Sequence, residues 1–106
     1  MNDIETEAGI QLNLDTAAQM AELFSTMSDV SRLRIIAALS AADELNVGEL
    51  AAHVDISHSA VSHHLRHLRQ MRLVRARKEG RYVYYALDDK HVHDLFRCGL
   101  EHVVHG

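Results

Sequence analysis

The sequence predicts a mainly helical domain carrying one β-hairpin, an α+β arrangement in the order α-α-α-α-β-β-α. Three observations lead there. Apolar residues recur at helical spacing along most of the chain. Two short runs, one opening on Val74 and one rich in tyrosine, flank Gly80, and glycine supplies the positive φ that a hairpin turn requires. The length of 106 residues, 47% of them apolar and 25% charged, suits a single globular unit. A chain this short buries a smaller fraction of its surface than a larger domain does, so a second copy of itself is the expected source of further buried area.

Residues 1–14 are polar and acidic without strong periodicity and are expected to form a flexible arm, leaving 15–106 as the folded domain. Asp15 or Thr16 is the expected cap of a first helix with Ala18, Met20, Ala21, Leu23, Phe24 and Met27 as its apolar content. After a break at Asp29 to Ser31, a second helix buries Leu33, Ile35, Ile36 and Leu39 and leaves Arg32 and Arg34 outside. A short third helix opens at Asn46 or Val47 and aligns Val47, Leu50, Ala51 and Val54 on one face. Ser57 then caps a fourth, in which Val61, Leu65 and Leu68 face inward. Strands at Val74 to Lys78 and Tyr82 to Leu87 follow, turning at Glu79-Gly80. Asp89 caps a last helix carrying Val92, Leu95, Phe96, Leu100 and Val103.

A short helix, a tight turn at Asp55-Ile56 and a helix with a polar outer stripe make a helix-turn-helix, and the hairpin after it makes a wing. The outer stripe of the fourth helix holds Ser59, His63, Arg66 and Gln70, flanked by His58, Ser62 and His67. Net charge is −4, yet from Ser57 to Arg81 seven basic residues (Arg66, Arg69, Arg72, Arg75, Arg77, Lys78, Arg81) stand against Glu79 alone. That local +6 is the footprint of a phosphate-binding surface on an otherwise acidic chain. Operator double-stranded DNA is the expected partner: Ser57, His58, Ser59, Ser62, His63 and Arg66 enter the groove, and Arg77, Lys78 and Arg81 hold phosphates beside it.

Other classes are expected to be excluded. No apolar run is long enough to cross a membrane, and Asp3, Glu5 and Glu7 stand where a signal peptide carries positive charge, which points to a cytoplasmic protein. One cysteine, Cys98, allows neither an internal disulfide nor a multi-thiolate zinc knuckle. No enzymatic constellation and no small organic substrate is indicated.

Nine histidines are far more than average usage supplies. In the last helix Asp89-x-His91 is followed, eleven residues after His91, by His102-x-x-His105. Eleven residues turn a helix by about 1100°, so His91 and His102 lie about 20° apart around its axis, but they are separated by about 16.5 Å along it. One helix cannot bring them to one ion. A second copy packed antiparallel across a twofold axis sets Asp89 and His91 of one chain against His102 and His105 of the other, giving two equivalent sites per dimer. Three imidazoles and a carboxylate suit Zn(II), with Co(II) and Ni(II) as competitors, and four protein ligands leave no open position for hydrolytic water.

These stretches resemble the ArsR/SmtB family of winged-helix metal-sensing repressors from about Asp15 to His105. The likeness is carried by Leu23-Phe24, Ser28-Asp29-Val30-Ser31-Arg32-Leu33-Arg34-Ile35, Ile56 to Leu65, and Arg77-Lys78-Glu79-Gly80-Arg81 leading to Tyr84-Tyr85. The zinc-sensing branch uses Asp-x-His and His-x-x-His across the dimer, similar to Asp89, His91, His102 and His105. The resemblance implies a homodimer joined through its terminal helices. Its apo form represses efflux or sequestration genes and leaves the operator when zinc binds. It also implies an allosteric link, in which His102 donates its second ring N–H to the main-chain carbonyl at Arg72. A second family site places cysteines in a Glu-Leu-Cys-Val-Cys segment; here Glu44-Leu45-Asn46-Val47-Gly48 lacks both thiols, which counts against a sensor of soft metals. A cobalt or nickel sensor of the same fold and a metal-independent regulator remain as alternatives.

Overall fold

The computed structural model of the chain describes residues 4–6 and 9–106. Residues 1–3 and 7–8 of the expected arm, Asp3 and Glu7 included, lie outside the described residues. Within the arm β1 (Ile4–Thr6) pairs antiparallel with β2 (Gly9–Gln11), setting Glu5 opposite Ile10. Strands of three residues are too short to show an alternation in sequence.

Helix α1 (Leu14–Met27) starts earlier than expected, because Asn13 and not Asp15 or Thr16 is the cap: its side chain accepts from the Thr16 amide at 2.9 Å. Helix α2 (Val30–Ala41) is capped by Asp29 and sends Ile35 and Ile36 to full burial. Leu33, expected inside, is exposed on the opposite side. Both arginines expected to face solvent are tethered. Arg32 donates to His64 at 3.0 Å and to the Thr26 carbonyl at 3.3 Å, while Arg34 donates to the Val54 carbonyl at 2.8 Å. The last contact sets a cation on the final carbonyls of the next helix, where the helix dipole favours it.

Strand β3 (Leu45–Asn46) precedes α3 (Val47–Val54), and Asn46 closes a reciprocal capping box with Glu49. Asp55 ends α3 in the left-handed conformation at φ 54°, and Ser57 caps α4 (His58–Gln70) by accepting from the Ala60 amide. Strands β4 (Val74–Glu79) and β5 (Tyr82–Leu87) form the hairpin. β3 adds to the free edge of β5, pairing Leu45 with Tyr85, so the sheet order is β3-β5-β4. The turn is Gly80-Arg81 and not Glu79-Gly80, because Glu79 still pairs with Tyr82; Gly80 takes φ +61°, as the first residue of a two-residue hairpin turn requires. Helix α5 (Lys90–His105) closes the chain behind its Asp89 cap.

Leu50 and Val54 of α3, Val61, Leu65 and Leu68 of α4, and Leu73 and Val74 leading into the wing join Ile35 and Ile36 in one core. Each such side chain stabilises the fold by about 1.5–3 kcal/mol relative to leaving it exposed. The α4 face opposite this core is thereby fixed toward solvent.

Candidate nucleic-acid interface and metal ligands

Burial of Val61, Leu65 and Leu68 turns Ser59, Ser62, His63, Arg66 and Gln70 outward together, all exposed. Ser57 spends its oxygen on the cap and lies 3.2 Å from the Ser59 hydroxyl. His58 is exposed at the helix start and shares a shallow hollow with Arg81 and Tyr82 of the wing. On the other side of α4 a cleft of about 450 Å³ runs between helix and sheet, lined by Ser62, Arg66, Arg69, Gln70 and Tyr85. Arg69 and Tyr85 were not among the expected contacts. Arg69 belongs to the basic run that marked the segment, whereas nothing in sequence brings Tyr85 to α4.

The wing cations divide. Lys78 and Arg81 are exposed, and among the described residues neither has an ion-pair partner. Arg77 instead clasps Glu44 through two hydrogen bonds of 2.8 and 2.9 Å, meets Glu79 at 2.6 Å and lies 5.2 Å from the centre of the Tyr84 ring. Its hydrogen bonds to the two carboxylates raise its pKa further, and the Arg77 hydrogen bond holds Glu44 below its ordinary value. Arg77 therefore ties the wing to the segment ahead of β3, a role that competes with the phosphate contact expected of it.

Behind the outer face, His64 accepts from Arg32 through Nδ1, and that nitrogen lies 4.0 Å from Asp29. Desolvation by burial pushes the His64 pKa below its usual value, against the opposite pull of Asp29. The neutral ring then keeps its proton on Nε2. This joins the start of α2 to the middle of α4.

At the other end of the molecule, Asp89 accepts from the Val92 amide at 3.2 Å with one carboxylate oxygen and turns the other toward His91 Nδ1, 3.4 Å away. Partial desolvation opposes ionisation of Asp89, but the Val92 amide and His91 outweigh it and hold the pKa below its ordinary value. Cap geometry is what lets residues two apart in sequence meet. His102 and His105 are exposed in the last turn of α5, and the structure does not bring them to Asp89 and His91; among the described residues no three potential ligands lie together within the chain. Arg72 is exposed at φ 57° just beyond α4, and no bond within the chain joins it to His102. His93 is half-buried and Cys98 exposed.

The donor chemistry fits a divalent ion. Two ligands bound at about 2.0–2.1 Å on a tetrahedral ion stand about 3.4 Å apart, which is the separation found between Asp89 Oδ2 and His91 Nδ1.

Residues 29–76, from the cap of α2 through α4 into β4, match the bacterial regulatory protein, arsR family. A transcriptional repressor SmtB homolog of Synechocystis is 53% identical over 92 residues, covering 87% of this chain and 69% of that protein. A cadmium resistance transcriptional regulatory protein CadC homolog of Staphylococcus aureus is 40% identical over 78% of this chain and 69% of its own length. Among solved structures, the homodimeric winged helix-turn-helix DNA-binding domain Mb0332 of Mycobacterium bovis superimposes with a TM-score of 0.76 at 27% identity, covering 91% of this chain and 94% of that one. No described helix is long and apolar enough to cross a membrane. Identity at this level, spread over most of both chains and resting on a common architecture, means that the chain belongs to the ArsR/SmtB family of bacterial winged-helix transcription regulators.

Proposed function

We propose that the chain is a zinc-responsive transcriptional repressor whose apo dimer occupies operator DNA and leaves it when Zn(II) binds, derepressing genes for metal efflux or sequestration. The observation that carries this reading is the Asp89–His91 pair, held by the α5 cap at the spacing of two ligands on one ion. His102 and His105 of a second chain complete the set, so each dimer has two sites. The ion, once held, ties the terminal helices of the two chains together.

The protein's own residues do the rest. Ser59, Ser62, His63 and Arg66 read the groove, Lys78, Arg81 and Arg69 hold phosphates, and Ser57 and His58 set the start of the helix. His102, ligating through one nitrogen, donates its other N–H toward the Arg72 carbonyl and links α5 to the end of α4. Release requires tighter metal binding to the state with weak DNA affinity, and DNA opposes metal by the same factor. Asn46 and Gly48 stand where thiols would serve a soft metal, and Asn46 is occupied with the α3 capping box. That favours the imidazole-carboxylate set over a cadmium site like the one the Staphylococcus relative's name suggests.

Titrating Zn(II), Co(II) and Ni(II) into a protein-operator mixture and following DNA release by fluorescence anisotropy tests the reading. Release by zinc supports it. Release by cobalt or nickel alone, at no more than two ions per dimer, reassigns the metal, and no release by any of the three contradicts the reading.

A further inference from the structure

The reading face of α4 carries an unusual pair. His63 and His67 stand one helical turn apart, and their ring centres are 4.7 Å apart with the planes inclined at 74°. An imidazole bound to a metal at about 2.0–2.1 Å puts its ring centre about 3.2 Å from the ion, so rings this close are within reach of one ion. Two imidazoles with water completing the shell make an N,O set of the kind that Cu(II) and Ni(II) take in tetragonal geometry. Neither ring has a hydrogen-bond partner among the described residues, and His63 is exposed. His64 is excluded as a third ligand although its ring centre is 5.8 Å from that of His63, because Nδ1 accepts from Arg32 and Nε2 therefore carries the proton.

We propose that His63 and His67 form a two-imidazole chelate for Cu(II) or Ni(II) on the DNA-reading face, and that its occupancy excludes DNA. The site lies within one chain and is separate from the ligands of α5. Water fills the remaining coordination positions. The guanidinium groups of Arg32 and Arg66 lie close enough to act on His67. That positive field opposes a dication, and among the described residues no carboxylate joins the pair, so this site fills only when metal is in excess. It gives a second route off the operator, by direct obstruction and not through α5. The binding of metal rests on α4 alone; the exclusion of DNA rests on the reading of α4 as the helix that enters the groove.

The test uses the full chain carrying His102→Ala and His105→Ala, which disables the proposed α5 sites. Cu(II) is titrated by equilibrium dialysis, and the bound ion is examined by electron paramagnetic resonance for nitrogen couplings from two imidazoles. Adding His67→Gln, or separately His63→Gln, is expected to remove one bound copper per chain together with the two-nitrogen signal. An unchanged copper count and spectrum in both variants would overturn the chelate. Operator duplex is expected to expel that copper from the His102→Ala/His105→Ala chain. Copper that stays bound alongside DNA would overturn the exclusion while leaving the chelate standing.

Discussion

Helices α4 and α5 are both amphipathic, but they use their apolar faces differently. In α4, Val61, Leu65 and Leu68 are at most 1% exposed, so the chain itself satisfies that face and leaves the polar one rigidly presented. In α5 only Val92 is buried, while Leu95, Leu100, Val103 and Val104 range from 38% to 82% exposed. Phe24 of α1 and Leu33 of α2 are exposed as well. A helix with most of its apolar stripe uncovered is half of an interface. The proposed metal ligands fall on that incomplete helix, and the proposed DNA-reading residues on the complete one. The contrast matches a division of labour in which recognition is built by one chain and regulation by two.

Substitutions separate the two helices, the largest effect coming first. Leu65→Ala is expected to destabilise the fold by about 3 kcal/mol at any protein concentration, read from denaturant unfolding. Leu100→Ala is expected instead to weaken dimerisation by about 2 kcal/mol, seen as a concentration-dependent mass in sedimentation equilibrium, with the DNA-reading face intact. A Leu100→Ala chain that unfolds like Leu65→Ala at all concentrations would erase the distinction.

His64 gives a pH test of the α2–α4 joint. Its folded pKa is depressed, so its contribution is fully present above about 6.5 and is lost as pH falls through the folded value. Stability is expected to drop as pH falls below about 6.5, and His64→Leu is expected to lower stability at pH 7.5 by about 2 kcal/mol, because the Arg32 donor loses its acceptor. The variant should also show a weaker pH dependence than the parent. The smallest effect concerns the wing. Lys78→Ala and Arg81→Ala are each expected to reduce the salt slope of operator binding by about one unit at most, and Arg77→Ala by less, since Arg77 is already paired. A full-unit change for Arg77→Ala alone would reverse the roles.

Local signals were legible in the sequence. The apolar stripe Val47, Leu50, Ala51 and Val54, the caps Ser57 and Asp89, and the hairpin strands all follow from short-range spacing and side-chain chemistry. Contacts between distant segments left no such trace. Glu44 meets Arg77 across 33 positions and Arg32 meets His64 across 32, and each pairing ties a residue expected to face DNA or water to a distant part of the chain. β3 escaped notice because two residues cannot display a period. Asn13 does not stand out as a cap in sequence because Leu14, the first helical residue, faces solvent and adds nothing to the helix's apolar pattern.

The central claim is that each metal site is shared between chains, and complementation tests it most directly. Chains carrying Asp89→Ala and His91→Ala are mixed with chains carrying His102→Ala and His105→Ala, and zinc is titrated into each parent and into the mixture. Neither homodimer retains a complete site, whereas a heterodimer pairs the intact residues of each chain to make one four-ligand site and one empty one. The account predicts little tight zinc binding in either parent and one tightly bound ion per heterodimer in the mixture. A mixture that binds no more zinc than its parents would show that Asp89 and His91 do not meet His102 and His105 across the dimer.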